Sequence, residues 1–320
     1  MLVLVAPGQG AQTPGFLTPW LEMDGVAGRL HWWSAVAGLD LVRYGTEGSA
    51  EEIKDTAVAQ PLLVAAGLAA TGALLPDAAA LGSVGAVAGH SVGEITTAAV
   101  CGVLTAESAM AFVRQRGLAM AGAAAVTATG MTVLLGGDPD EVAEAFAKHG
   151  LTAANNNGGG QIVAAGTLEQ LAALKADPPA GARLIPLKVA GAFHTAHMAP
   201  GREALAKLAP GITTRDPRSA YVSNRDGRVV DTGAGVLERL VSQVSHPVRW
   251  DLCMETLRQL GATCVIEVPP AGTLTNLIKR NLKGVDTLAL KTPADLDKAR
   301  ELVAKHGEPT RLLDMEGVEA

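Results

Sequence analysis

The sequence predicts an α/β protein: a parallel sheet covered by helices and interrupted by a smaller βαββαβ unit. Three observations carry this. Short apolar runs alternate with Ala-rich helical stretches in the first and last parts of the chain. Hydrophobic residues make up 48% of the sequence and aromatics only 3%, so the core has to be built from Ala, Val and Leu, small side chains that suit close packing of helix on sheet. The alternation then breaks once, over residues 127–190, where two strands follow one another without a helix between them.

Taken in order, residues 2–6 form a strand that runs into the turn Pro7-Gly8-Gln9-Gly10. Residues 60–75 read as a helix with Pro61 in its first turn, where a missing N–H does no harm. Residues 84–88 are a short apolar strand, and Gly89 to Gly93 a sharp turn into the next helix. Thr105 is an N-cap for a helix reaching about Ala121. In the middle, residues 131–135 form a strand and Asp138-Pro139 opens a helix over 139–148. Strands over 152–155 and 161–165 flank an Asn/Gly turn, Thr167-x-x-Gln170 is a capping box for a helix to about Lys175, and 183–189 form a last strand. That order is the split βαβ of ferredoxin-like folds, so residues 127–190 are expected to be a small subdomain inserted into a large one made of 1–126 and 191–320. The large unit resumes with strands near 220–223, 264–268 and 287–290, and the last ten residues are expected to fray.

Composition excludes several classes of function. A net charge of -6 argues against nucleic acid or an anionic membrane as the principal partner. Cys101, Cys253 and Cys264 are odd in number and lack C-x-x-C spacing, which fits a reduced, cytoplasmic chain with neither structural disulfides nor a zinc knuckle. The N-terminal apolar run has no basic residue before it and is too short for a signal sequence. The longer apolar stretch over 61–75 falls short of a bilayer span, so a soluble protein is expected.

Gly89-His90-Ser91-Val92-Gly93 matches G-x-S-x-G, the nucleophile elbow. A turn this tight strains the backbone of the nucleophile, and the flanking glycines let neighbouring segments pack close. The hydroxyl is then presented at a helix N-terminus, where amides favour a developing oxyanion. An apolar strand before the motif and an Ala-rich helix after it supply the required context. On the helix from Thr105, Phe112, Arg116 and Met120 fall at i, i+4 and i+8 and share a face. An arginine in an apolar stripe is costly unless something anionic meets it, so Arg116 is read as binding a ligand, with a snorkelling side chain or an ion pair to a neighbouring acid as the alternative. His194 and His197 are the candidate bases, while His90, one residue before the serine, is placed in the pocket wall. His31, His149, His246 and His306 lie in polar or loop contexts without metal-ligand spacing. No acid stands out to complete a triad.

Five segments in order, Pro7-Gly8-Gln9-Gly10-Ala11-Gln12, Gly89 to Glu94, Gln115-Arg116-Gly117, Gly191-Ala192-Phe193-His194 and Pro247-Val248-Arg249-Trp250, resemble the malonyl-CoA:acyl-carrier-protein transacylases of fatty acid and polyketide synthesis. The resemblance covers nearly the whole chain. It implies an α/β-hydrolase-like core with a ferredoxin-like insert, and malonyl transfer by a ping-pong route through malonyl-Ser91. It further implies His194 as general base and acid, oriented by the Gln243 carbonyl, with the Gln9 and Val92 amides as the oxyanion hole. Arg116 would hold the malonyl carboxylate, Asn155 and Asn157 would face the cleft beside Met120, and Phe193 would set the acyl pocket. The partners implied are malonyl-CoA and acyl carrier protein, met by a basic rim for which Arg183, Lys188, Lys279, Arg280 and Lys283 are candidates. No metal or redox cofactor is implied, and a monomer is expected. Ala11 stands where the family has serine, and Pro269-Pro270 where glycine is common. The rival readings are a serine esterase or thioesterase, a non-catalytic docking subunit, and a transacylase of another acyl specificity.

Overall fold

The parallel sheet grows outward from a buried first strand. The structure, a computed structural model, describes residues 1–307. β1 (Leu2–Ala6) is buried at every position, and its alternating side chains serve two cores. Leu2 and Leu4 pack with the Thr56–Leu74 and Ala106–Ala124 helices, and Val3 and Val5 with the Trp250–Gln259 and Thr273–Asn281 helices. β1 pairs in parallel with β2 (Val84–Gly89), and the second sheet begins with β3 (Thr129–Leu135), β4 (Thr152–Asn156), β5 (Gln161–Thr167) and β6 (Arg183–Pro186). β7 (Ala220–Val222), β8 (Val229–Val230), β9 (Val248–Arg249), β10 (Cys264–Glu267) and β11 (Asp286–Ala289) follow. The first sheet has the order β11-β10-β1-β2-β7-β8, parallel except for the β7–β8 pair. Covered by helices on both faces, β1 and the first three residues of β10 read as continuous apolar runs rather than alternating ones.

The second sheet has the order β6-β3-β5-β4-β9 and its own core of Leu134, Val142, Phe146, Leu151, Ala164 and Leu174. Four of its strands come from the βαββαβ stretch, and β9 joins from far along the chain, pairing in parallel with β4. The capping signals act as their chemistry requires. Thr105 Oγ1 accepts from Ser108 N, Asp138 from Asp140 N and Glu141 N, and Thr167 closes a reciprocal box with Gln170.

Two elements differ from expectation. Pro61 lies inside its helix rather than at the start, because Asp55 caps the Ala57 amide and the helix begins at Thr56. Pro61 offers no N–H to the Ala57 carbonyl four residues back, and Arg114 Nη1 from the neighbouring helix supplies the donor at 2.7 Å. The longer helix also has the length and hydropathy of a membrane span, but 72% of that window is buried inside the protein, where it forms a central core helix. The strand expected over 183–189 stops at Pro186, an edge position that a proline tolerates, although Leu187 N still donates to Met131 O at 2.9 Å. The fraying expected of the last ten residues lies outside the described residues.

Candidate active site

Close approach of backbone explains the spacing of the elbow. A Cβ on Gly89 would stand 2.0 Å from the Gly93 carbonyl carbon, and one on Gly93 2.1 Å from Ala6 O of β1. Ser91 between them takes φ 54°, a left-handed conformation rare outside glycine and asparagine. The buried Asn224 holds it there, with Oδ1 accepting from Ser91 N at 2.8 Å and Nδ2 donating to Gly89 O at 2.6 Å. Because Ala6 O belongs to the central sheet and cannot retreat, Gly93→Ala is expected to destabilise the fold by about 3 kcal/mol or more. In a chain of this size that is a fall in Tm of roughly 6 °C or more, and an unchanged melting curve would contradict the packing described.

His194 meets the serine from the opposite side. It too is left-handed, at φ 61°, and 4% exposed. Its Nε2 lies 2.8 Å from Ser91 Oγ and its Nδ1 2.9 Å from Gln243 O. A carbonyl only accepts, so Nδ1 carries the proton, and Nε2 presents its lone pair to the serine hydroxyl. Burial and then the charge of Arg116 push the imidazole down to about 3, so the resting base is neutral. His197 sits in a short helical turn two residues beyond Thr195, which caps it, and has no bond to Ser91.

Arg116 is 1% exposed. Nη2 donates to Ser91 Oγ at 3.2 Å and to Gln243 Oε1 at 2.7 Å, and Nη1 donates to Gln60 Oε1 at 2.6 Å. Among the described residues its buried Nε has no acceptor. Burial pushes the guanidinium down to about 10, and Glu94 pulls the other way. Phe112 and Met120, on the same helix face, are equally buried.

These groups border a cleft of about 260 Å³. Gly8, Gln9 and Gly10 form one side, Met131 and Asn155 of the second sheet with Asn157 just past β4 another, and Phe193, Met120 and Gln60 close it. Arg116 does not itself line the cleft, although its neighbours Gln60 and Met120 do. The glutamines of the first motif fasten the turn beside Ser91: Gln9 Nε2 donates to Lys54 O and Gln12 Nε2 to Ile53 O, each at 3.0 Å. Among the described residues, neither the Gln9 nor the Val92 amide donates to a protein acceptor. His90 is in the wall as expected, with Nε2 3.0 Å from Asn157 Oδ1 and its ring edge-on to Trp250. Thr273, Leu274 and Leu277 complete the cleft, on a helix whose first amides are held by the buried carboxylate of Glu267. Arg183, Lys188, Lys279, Arg280 and Lys283 are all exposed, and Lys188 lies between the cleft residues Leu187 and Val189.

Sequence reasoning missed Gln60, Asn224 and Glu94, and gave Gln243 only a backbone role. Glu94 is 1% exposed, accepting from Asn224 N at 2.7 Å and from Gln243 Nε2. Burial pushes its carboxyl up to about 7, against these donors and Arg116.

A strained serine on a strand-to-helix turn, a neutral imidazole bonded to it and a buried cation on the same oxygen define a serine enzyme of acyl-group chemistry. Comparison with known proteins specifies the class. The acyl transferase domain family matches residues 3–294. The malonyl CoA-acyl carrier protein transacylase of Mycobacterium tuberculosis is 51% identical over 302 residues, 94% of this chain and 100% of that protein. The crystal structure of MCAT from Mycobacterium tuberculosis superposes with a TM-score of 0.91 at 50% identity, covering 94% of this chain and 99% of that one. A malonyl-transacylase solved in complex with its type II PKS acyl-carrier protein gives 0.86 at 30% identity, covering 94% and 99%. The chain belongs to the malonyl CoA-acyl carrier protein transacylase family.

Proposed function

We propose that this enzyme transfers the malonyl group from malonyl-CoA to the phosphopantetheine thiol of acyl carrier protein through a malonyl-Ser91 ester. The observation that carries the reading is one oxygen with two partners: Ser91 Oγ lies 2.8 Å from His194 Nε2 and 3.2 Å from Arg116 Nη2. His194 takes the hydroxyl proton as Oγ attacks the thioester carbonyl, and the proton passes to the coenzyme A sulfur as the carbon–sulfur bond breaks. The carrier thiol then attacks the ester, gives its proton to His194, and Ser91 recovers it on leaving. The free amides of Gln9 and Val92 are offered as the oxyanion donors. The first stroke turns a thioester into an oxygen ester and the second turns it back, with no change of oxidation state, so neither requires a redox cofactor.

A malonyl ester carries a carboxylate one methylene from its carbonyl, within reach of a guanidinium that already touches Oγ. The unpartnered Arg116 Nε supports this assignment. Arg116→Ala is expected to lower kcat/KM for malonyl-CoA about ten- to hundredfold and for acetyl-CoA much less, since a charge-assisted bond is worth roughly 1.5–3 kcal/mol. Equal losses on both substrates would remove that role. Phe193, Asn155 and Asn157 are assigned to the acyl-facing wall by their place in the cleft. The exposed Lys188 and the basic end of the Thr273–Asn281 helix are the proposed landing surface for an acidic carrier. The three cysteines, buried and free, support a cytoplasmic setting.

The direct test incubates the protein with labelled malonyl-CoA, with and without acyl carrier protein, and maps the label by mass spectrometry. Label on Ser91 that moves to the carrier is expected. Label elsewhere, or free malonate as the main product with carrier present, would refute the reading.

A further inference from the structure

Arg116 bears its charge in the interior with no carboxylate in contact among the described residues. Its fork ends on two neutral carbonyl oxygens, Gln60 Oε1 and Gln243 Oε1. The anion that answers it stands one side chain further back. Glu94, in the first turn of the Gly93–Val100 helix, uses both oxygens as acceptors: Oε1 from the Asn224 amide and Oε2 from Gln243 Nε2. The Gln243 carboxamide therefore separates guanidinium from carboxylate, with its oxygen turned to one and its nitrogen to the other. That nitrogen also donates to Ser91 O at 3.0 Å.

We propose that Glu94 is a positioning residue for acyl selectivity: it fixes the Gln243 carboxamide with its oxygen toward Arg116, and so holds the guanidinium where the acyl carboxylate of the substrate meets it. The inference rests on the malonyl-transfer reading above.

The donor count shows why a carboxylate is required. Both Glu94 oxygens face N–H groups, and one of these belongs to backbone that cannot turn. A carboxamide at position 94 offers one acceptor instead of two. If its NH2 faced Gln243, the Gln243 carboxamide would reverse to accept, setting its own NH2 against Arg116 Nη2 and withdrawing the donor from Ser91 O. The separation matters as well. A carboxylate in direct contact would occupy the donors that the substrate uses and would have to be displaced. At one amide's remove, Glu94 opposes the burial of Arg116 charge, as Arg116 opposes that of Glu94, yet leaves Arg116 Nε without an acceptor. Arg116 is thus a cation that is compensated but unsaturated by the described residues.

The experiment measures kcat/KM for malonyl-CoA and acetyl-CoA with acyl carrier protein in wild type, Glu94→Gln, Glu94→Asp, Gln243→Met and the Glu94→Gln/Gln243→Met double variant. In Glu94→Gln the malonyl:acetyl ratio is expected to fall at least tenfold, chiefly through KM for malonyl-CoA, and Glu94→Asp, which keeps two acceptors, recovers part of it. Gln243→Met keeps the backbone carbonyl that His194 uses and loses the carboxamide, so its ratio falls too. Adding Glu94→Gln to it lowers the ratio no further, because the effect travels through that carboxamide. Equal losses on both substrates in Glu94→Gln, an unchanged ratio in Gln243→Met, or a double variant less selective than Gln243→Met alone would overturn the proposal. The Gln243→Met arm stands even if the Glu94 variants do not fold. A wild-type enzyme that passed no malonyl to the carrier would instead overturn the functional reading, and this inference with it.

Discussion

Ser91→Ala is expected to lower malonyl transfer by about 10⁴–10⁶-fold, because serine-enzyme catalysis collapses when the nucleophile is lost and only binding and oxyanion stabilisation remain. The substitution deletes the oxygen that His194 Nε2 and Arg116 Nη2 share and leaves the elbow's glycine contacts and the Asn224 clamp in place. The variant should therefore fold, bind malonyl-CoA and gain no mass when incubated with it. A stoichiometric malonyl adduct on Ser91→Ala, or transfer within a hundredfold of wild type, would place the nucleophile elsewhere.

His194→Ala should cost at least about 10³-fold in the acylation stroke, read as the rate of malonyl-Ser91 formation in a single turnover. The pH dependence follows from the pKa. An imidazole held down to about 3 by burial and Arg116 is already unprotonated at neutrality. With acetyl-CoA, which places no carboxylate on Arg116, wild-type acylation should thus show no acid limb at the ordinary histidine value of about 6.5. A limb there that persisted in Glu94→Gln would mean a solvated ring, since the Glu94 carboxyl, pushed up to about 7, titrates in the same range. A substrate carboxylate would neutralise Arg116 and remove the second cause of the depression, so the imidazole becomes a stronger base when malonyl is seated. The orienting group is a carbonyl rather than a carboxylate, which gives the imidazolium less support and suits an ester that has to outlast water until a thiol arrives.

What could be read in the sequence was local. Ser91 was legible because the steric demand on Gly89 and Gly93 is met within five residues, and Thr105, Asp138 and Thr167 because a cap contacts its own first turn. His194, Arg116 and the Gln243 carbonyl came from the motifs around them, and the structure brings all three to Ser91 or its base. Asn224 was not legible. It reaches Ser91 across 133 residues of chain, and an asparagine after a short strand looks like any turn. Gln60 looked like the polar start of an apolar helix, and its value lies in facing a residue 56 positions away. Glu94 stood inside a quoted motif, but its meaning depends on a side-chain amide from a third element. β9 escaped notice because a two-residue parallel pairing has no periodicity.

Pro61 shows how an irregularity in one helix becomes a fastening for another. The carbonyl that it strands at Ala57 is where Arg114 hooks on, while Gly117, one turn further along, admits the Thr56–Ala57 backbone with no room for a Cβ. Hook and notch together fix how far the two helices slide past each other, and that offset sets Gln60 opposite Arg116. An alanine in place of the proline would mend the broken ladder and set a second donor on the peg, so the more regular helix would be the less well indexed one.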